Sequence, residues 1–241
     1  MPWDFWLIFL VLGALLPLRG RMRLKKLMGI PQIGARERLS LYRSTIAFQW
    51  AATAVVAWRA WARGLTLEAM GLVIHGRWRI LLAAVVGALT LGGLQWLNLR
   101  RMGRSGGKTR EFLRVLAERI LPQSPGELPS FLALAATAGL CEEFLYRGFV
   151  MAALFRAGLP VWGVVLLSSV LFGLAHLYQG RGGLVSTLAI GTVFGMARIA
   201  YDGLVPVMVW HFAVDAVAGV AGPRYLGRAV APEAAEEIHS Q

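Results

Sequence analysis

Long apolar runs separated by short polar stretches dominate the chain. Seven runs stand out, at about 3–18, 43–61, 80–97, 128–153, 160–177, 184–200 and 204–221. Most approach the roughly 17–25 apolar residues with which an α-helix crosses a bilayer core. The first is short and is expected to end at Pro17, because proline breaks the helical hydrogen-bond ladder. The pattern predicts an all-α, polytopic transmembrane helix bundle of about seven spans, within a range of six to eight. Residues 64–79, GLTLEAMGLVIHGRWR, read as a short amphipathic or loop segment outside the bilayer. Three regions follow: membrane helices with basic loops over 1–127, a helical core over 128–221, and a polar tail over 222–241.

Composition supports this reading. The 241 residues are 57% hydrophobic and 16% charged, against roughly 25% charged in an average soluble domain. The net charge of +12 would suit a nucleic-acid binder, but its distribution points elsewhere. Seven Lys and Arg side chains lie in 19–38 and seven more in 98–127, with only three in 62–79. By the positive-inside rule the two basic loops face the cytoplasm and the N-terminus faces outward. The basic charge then serves topology and attraction to anionic lipid head groups, and no nucleic-acid partner is expected. The Arg-, Ala- and Gly-rich composition fits a multi-pass protein of a bacterial plasma (inner) membrane. The N-terminus has neither a basic leader nor a small-x-small cleavage site, so the first run is expected to be a retained membrane segment. The single cysteine, Cys141, excludes a disulfide framework and a Cys-rich zinc module, and reads as a small core residue.

Ionisable groups within these runs narrow the chemistry. A charge at the centre of a spanning helix costs about 2.5–3.5 kcal/mol or more. Nevertheless, Glu142, Glu143 and Asp215 lie well inside the apolar runs, joined by His176 and His211. They fall in CEEFLYRG, SSVLFGLAH and VMVWHFAVD, on the fourth, fifth and seventh spans, which predicts a buried polar site between those spans. Glu143 and Arg147 are four apart, on one helical face and in the favourable order. Glu142 is turned about 100° from Glu143, which leaves it free for work as a general base. His211 and Asp215 also share a face, so the carboxylate could orient the imidazole. Gly191 and Gly195 form a small-xxx-small pair suited to close helix approach. Blander readings exist for each group: Glu143–Arg147 as a clasp, His176 as an interfacial residue, His211–Asp215 as a helix-to-helix bridge. Arg198 and Asp202 read as interfacial anchors. His75 and His239 are assigned no role.

Together, Glu142-Glu143-Phe-Leu-Tyr-Arg147, Phe172-Gly-Leu-Ala-His176 and His211-Phe-Ala-Val-Asp215 resemble the CPBP family of intramembrane proteases. That family includes the CAAX prenyl endopeptidases and the bacterial Abi-type immunity proteins. Its pattern is EExxxR, then FxxxH, then a histidine followed four residues later by Asn or Asp. The resemblance covers about residues 128–220, which makes 128–221 the catalytic core. It implies a hydrolase that cleaves a peptide bond of a membrane-associated protein or peptide. Prenylated C-terminal peptides are the substrate of the eukaryotic relatives. By the same resemblance Glu142 is the base and His176 its partner, His211 and Asp215 stabilise the oxyanion, and Glu143 and Arg147 hold the site or position substrate. Asp215 stands where many relatives have Asn, and an ionised carboxylate cannot donate to an oxyanion.

Two further questions stay open at this point. The family has also been described as metalloproteases, and Glu142, His176 and His211 are the ligands a zinc ion would use. A metal-free glutamate mechanism, which the resemblance to the CAAX endopeptidases supports, is preferred because HExxH is absent, with a divalent metal such as zinc as the alternative cofactor. The rival classes are a proton- or ion-coupled transporter using the buried Glu, His and Asp as a relay, and a non-catalytic membrane scaffold.

Overall fold

The computed structural model describes residues 1–74, 76–104 and 108–227. His75, His239 and most of the expected tail lie outside them. The regular structure of the described residues is helical: α1 (Trp3–Met28), α2 (Ala35–Ala62), α3 (Arg77–Arg104), α4 (Lys108–Ile120), α5 (Leu128–Arg156), α6 (Val161–Ala175), α7 (Leu177–Tyr201) and α8 (Val205–Leu226). By length and composition, five are fit to cross a membrane, namely α1, α3, α5, α7 and α8. The expected second span lies within the more polar α2, and the fifth is the 15-residue apolar helix α6. α8 runs to Leu226, into the segment expected as tail.

Pro17 does not end the first helix. α1 passes through a π-helical stretch at Val11–Leu15 and continues to Met28. A proline removes one backbone donor and presses its ring on the carbonyl four residues earlier. The wider turn just before Pro17 accommodates both effects, so the chain bends its hydrogen-bond register instead of stopping.

The expected loop after α2 folds back onto the bundle. Leu65 and Met70 are buried, and Leu204 N–H donates to the Gly71 carbonyl at 2.9 Å. Arg198 is also buried, donating to Asp202 at 3.2 Å and to the Ala69 carbonyl at 3.1 Å. This pair thus ties a loop to a helix end. Asp4, at the start of α1, is a further buried acid that sequence reasoning passed over. It accepts from Arg59 Nε at 2.9 Å and Arg63 Nε at 3.1 Å.

The two ends of the bundle differ in chemistry. The strongly exposed Trp3, Trp6, Trp61, Trp78 and Trp162 sit at the start of α1, the end of α2, the start of α3 and the start of α6. Asp4 meets Arg59 and Arg63, and Arg156 at the end of α5 donates to the Arg63 carbonyl, so the start of α1, the end of α2 and the turn into α6 share one end. Tryptophan favours the boundary between head groups and hydrocarbon. At the opposite end Arg38 forms a buried, bidentate pair with Glu127, at 2.6 and 2.9 Å, joining the start of α2 to the start of α5. That pair, with Ser124 and the Gln123 N–H also donating, holds the Glu127 carboxyl below its ordinary range.

α8 is held between α3 and α5. Trp210 Nε1 donates to the Ala83 carbonyl at 2.8 Å, and on the other side Gly139 brings α5 against the α8 backbone. A Cβ at Gly139 would lie 2.8 Å from the Met208 carbonyl oxygen. This close approach carries the next turn of α5, with Glu142 and Glu143, to the level of His211.

Candidate active site

A break in helical register places the first motif. α5 is α-helical to Glu143 and π-helical over Phe144–Val150. Such single wide turns leave backbone groups without their usual partners and are frequent at functional sites. Here Ser168 of α6 donates to the Tyr146 carbonyl at 2.8 Å, fastening α6 to the π segment.

Glu143 and Arg147 form the buried centre of the site, with no exposed side-chain surface on either. Arg147 Nη1 donates to Glu143 Oε1 at 3.0 Å and Nη2 to the Gly191 carbonyl at 3.2 Å. Gly191 must be small: a Cβ there would lie 3.1 Å from Arg147 Nη2 and 3.3 Å from the Phe172 ring. The guanidinium also lies over the Phe172 face, 4.1 Å from its centroid, a favourable contact for a desolvated cation.

His211 donates from Nδ1 to Glu143 Oε1 at 2.7 Å. Its Nε2 lies 3.6 Å from Asp215 Oδ2, beyond direct hydrogen-bonding distance. Glu143 is therefore the closer orienting partner of this imidazole, and Asp215 is its neighbour on the other side. The phenyl edge of Phe172 packs against the same ring at 5.9 Å.

Glu142 points away from this knot. Its Oε1 accepts from Gln49 Nε2 of α2 at 2.7 Å. Its Oε2 is buried, makes no hydrogen bond, and lies 3.8 Å from His176 Nε2. His176 follows the last residue of α6, where a 3₁₀ turn over Leu177–Gln179 leads to Gly180 at φ +83°, a backbone region that favours glycine. Its Nδ1 lies 2.9 Å from the Phe172 carbonyl. A carbonyl only accepts, so Nδ1 carries a proton, and in the neutral form of the ring Nε2 turns its lone pair toward Glu142. The FxxxH spacing follows from this bond, which spans four residues, and from ring packing at 4.6 Å. Tyr178 stacks on the outer side of His176 at 6.0 Å.

The structure thus brings all six expected residues together on α5, α8 and the end of α6. It adds Gln49 and Tyr178. Gln49 is the one side-chain amide within the second apolar run, a signal that a survey of ionisable residues alone misses. Among the described residues, no three His, Cys, Asp or Glu side chains are grouped to hold a metal ion.

Residues 124–217 match the family model described as type II CAAX prenyl endopeptidase Rce1-like. The match spans less than half of the chain and contains all three motifs, so the resemblance to CAAX-type intramembrane proteases holds for the segment that builds the site. No curated protein and no solved structure matches the chain. With five apolar helices, the match supports an integral membrane endopeptidase that acts on a membrane-associated protein.

Proposed function

We propose that the protein is a glutamate-type intramembrane endopeptidase in which Glu142 and His176 activate water. The carrying observation is the 3.8 Å separation of Glu142 Oε2 and His176 Nε2. Both atoms accept hydrogen bonds, and Glu142 Oε2 is buried without a partner. A water placed between them donates one hydrogen to each and turns a lone pair toward a substrate carbonyl. Glu142 takes a proton as the water oxygen bonds to the carbonyl carbon. The C–N bond then breaks, and Glu142 returns the proton to the departing amine.

Negative charge develops on the carbonyl oxygen in between. His211 lies between the Glu143 and Asp215 side chains. Carrying both ring protons, it keeps Nδ1–H on Glu143 and offers Nε2–H to the oxyanion. In this reading Asp215 acts through His211 and need not itself donate. One preorganised donor of this kind contributes about 3–4 kcal/mol. Glu143 and Arg147 hold the arrangement. The proposed substrate is a membrane-anchored protein or peptide, of the prenylated CAAX type or a bacterial counterpart, cleaved in a bacterial plasma membrane.

The test is cleavage of a library of membrane-anchored and prenylated peptides by purified protein, with and without a chelator. Glu142→Gln and His176→Ala are each expected to reduce cleavage on the order of 10²–10⁴-fold with folding intact. The double variant should be little worse, because both groups act on one water. Robust cleavage by Glu142→Gln would remove the base and this mechanism with it. Cleavage abolished by the chelator and restored by zinc would make Glu142, His176 and His211 metal ligands instead.

A further inference from the structure

The matched segment supplies every group used so far, yet the shortest hydrogen bond to the proposed base comes from outside it. Gln49 lies on α2, and its Nε2 donates to Glu142 Oε1 at 2.7 Å. The Gln49 side chain is part-buried, and its own Oε1 is buried without a partner. Among the described residues, the one hydrogen bond its amide makes is therefore the one to the carboxylate.

We infer that Gln49 is a positioning residue for the base: it pins Glu142 Oε1, so that Oε2 is the oxygen directed at His176. The inference rests on the reading of Glu142 as the base, and it assigns the N-terminal half of the chain a part in the site. A carboxylate in the middle of a helix can rotate about χ3 and exchange its two oxygens. One donor on Oε1 removes that freedom and leaves a single oxygen for the water.

Other titratable and charged groups act on Glu142 as well. His176 and Tyr178 do so from the end of α6 and the following turn, and His211 and Asp215 from α8. On its own helix Cys141, Tyr146 and Arg147 feel its charge. None of them hydrogen-bonds to Oε1. Among the described residues, the donor to that oxygen is Gln49.

The experiment replaces Gln49 by Met, which keeps length and volume in an apolar helix but has no N–H. Gln49→Leu serves as a second variant. The first readout does not need activity: a double-mutant cycle of thermal unfolding in detergent, pairing each Gln49 variant with Glu142→Leu. Because Gln49 Nε2 bonds to Glu142 Oε1, the double variant should lose about as much as the larger single variant and less than the sum of the two. The second readout is cleavage by the Gln49 variants, where kcat should fall roughly 10–100-fold with KM within about twofold. Additive stability losses for both Gln49 variants would overturn the inference whatever happens to cleavage. Coupled losses with kcat unchanged would make Gln49 a structural partner and overturn it too. Coupled losses in a protein whose wild type cleaves no peptide would uphold the Gln49–Glu142 contact and instead remove the peptidase reading. Reduced cleavage through KM alone would make Gln49 a substrate contact and also overturn the inference.

Discussion

Replacing Arg147 by methionine keeps most of the side chain's length and removes its charge. Three contacts disappear: the 3.0 Å bond to Glu143, the 3.2 Å bond to the Gly191 carbonyl, and the cation resting 4.1 Å from the Phe172 centroid. The first dominates, because it leaves a fully buried carboxylate without its cation. Breaking such a pair costs about 3–5 kcal/mol. A loss of about 4 kcal/mol, at about 2–4 °C per kcal/mol for a chain of this length, lowers the unfolding midpoint by roughly 8–16 °C. Cys141 supplies the assay, since it is the chain's single cysteine and fully buried. A thiol-reactive dye therefore fluoresces only as α5 opens. Glu143→Gln in the same background removes the orphaned charge while its amide oxygen still accepts from His211 Nδ1. The double variant should recover at least half of the loss. If instead the single losses add within about 0.5 kcal/mol, the two side chains are not coupled and the buried-pair reasoning is wrong.

Acid titration should reveal the second buried pair. The Glu127 carboxyl is depressed by Arg38, so its stabilisation is complete above the ordinary carboxyl value of 4.5 and is lost as pH falls through the lower folded value. Glu127→Gln should thus be less stable than wild type at pH 7, with the gap closing below about pH 4.5; a gap independent of pH would refute the pairing. Membrane orientation is tested with Lys25→Cys and Arg104→Cys in a Cys141→Ala background. An impermeant thiol reagent should reach neither from outside intact cells, and labelling of both from outside would invert the topology.

Much of this organisation was legible in the sequence, for identifiable reasons. A buried charge is costly, so Glu142, Glu143, Arg147, His211 and Asp215 stood out against their apolar surroundings, and the four-residue spacing of Glu143 and Arg147 matched the ion pair. Pro17 misled, because the rule that proline ends a helix ignores the wider turn that can absorb it. Asp4 was passed over at the edge of the first run, since its partners Arg59 and Arg63 lie far away in sequence. The partner of His211 was not legible either. Asp215 shares its helix and was the local choice, but the nearer acid, Glu143, arrives from α5 through the close approach at Gly139. Contacts between helices carry no sequence spacing to read.

The π segment at Phe144–Val150 bears on how this site can vary. A wide turn holds one residue more than the α-helical turn it replaces, so the turns beyond Val150 keep the facing of an α-helix one residue shorter. A one-residue deletion within the segment, with relaxation to ordinary winding of about 100° per residue, would leave those later turns facing as they do. The change would fall inside the segment, where the Tyr146 carbonyl would be taken up by the helical ladder and turned from Ser168. The extra residue thus sets the directions of the motif's own groups while the packing of the rest of α5 stays as it is.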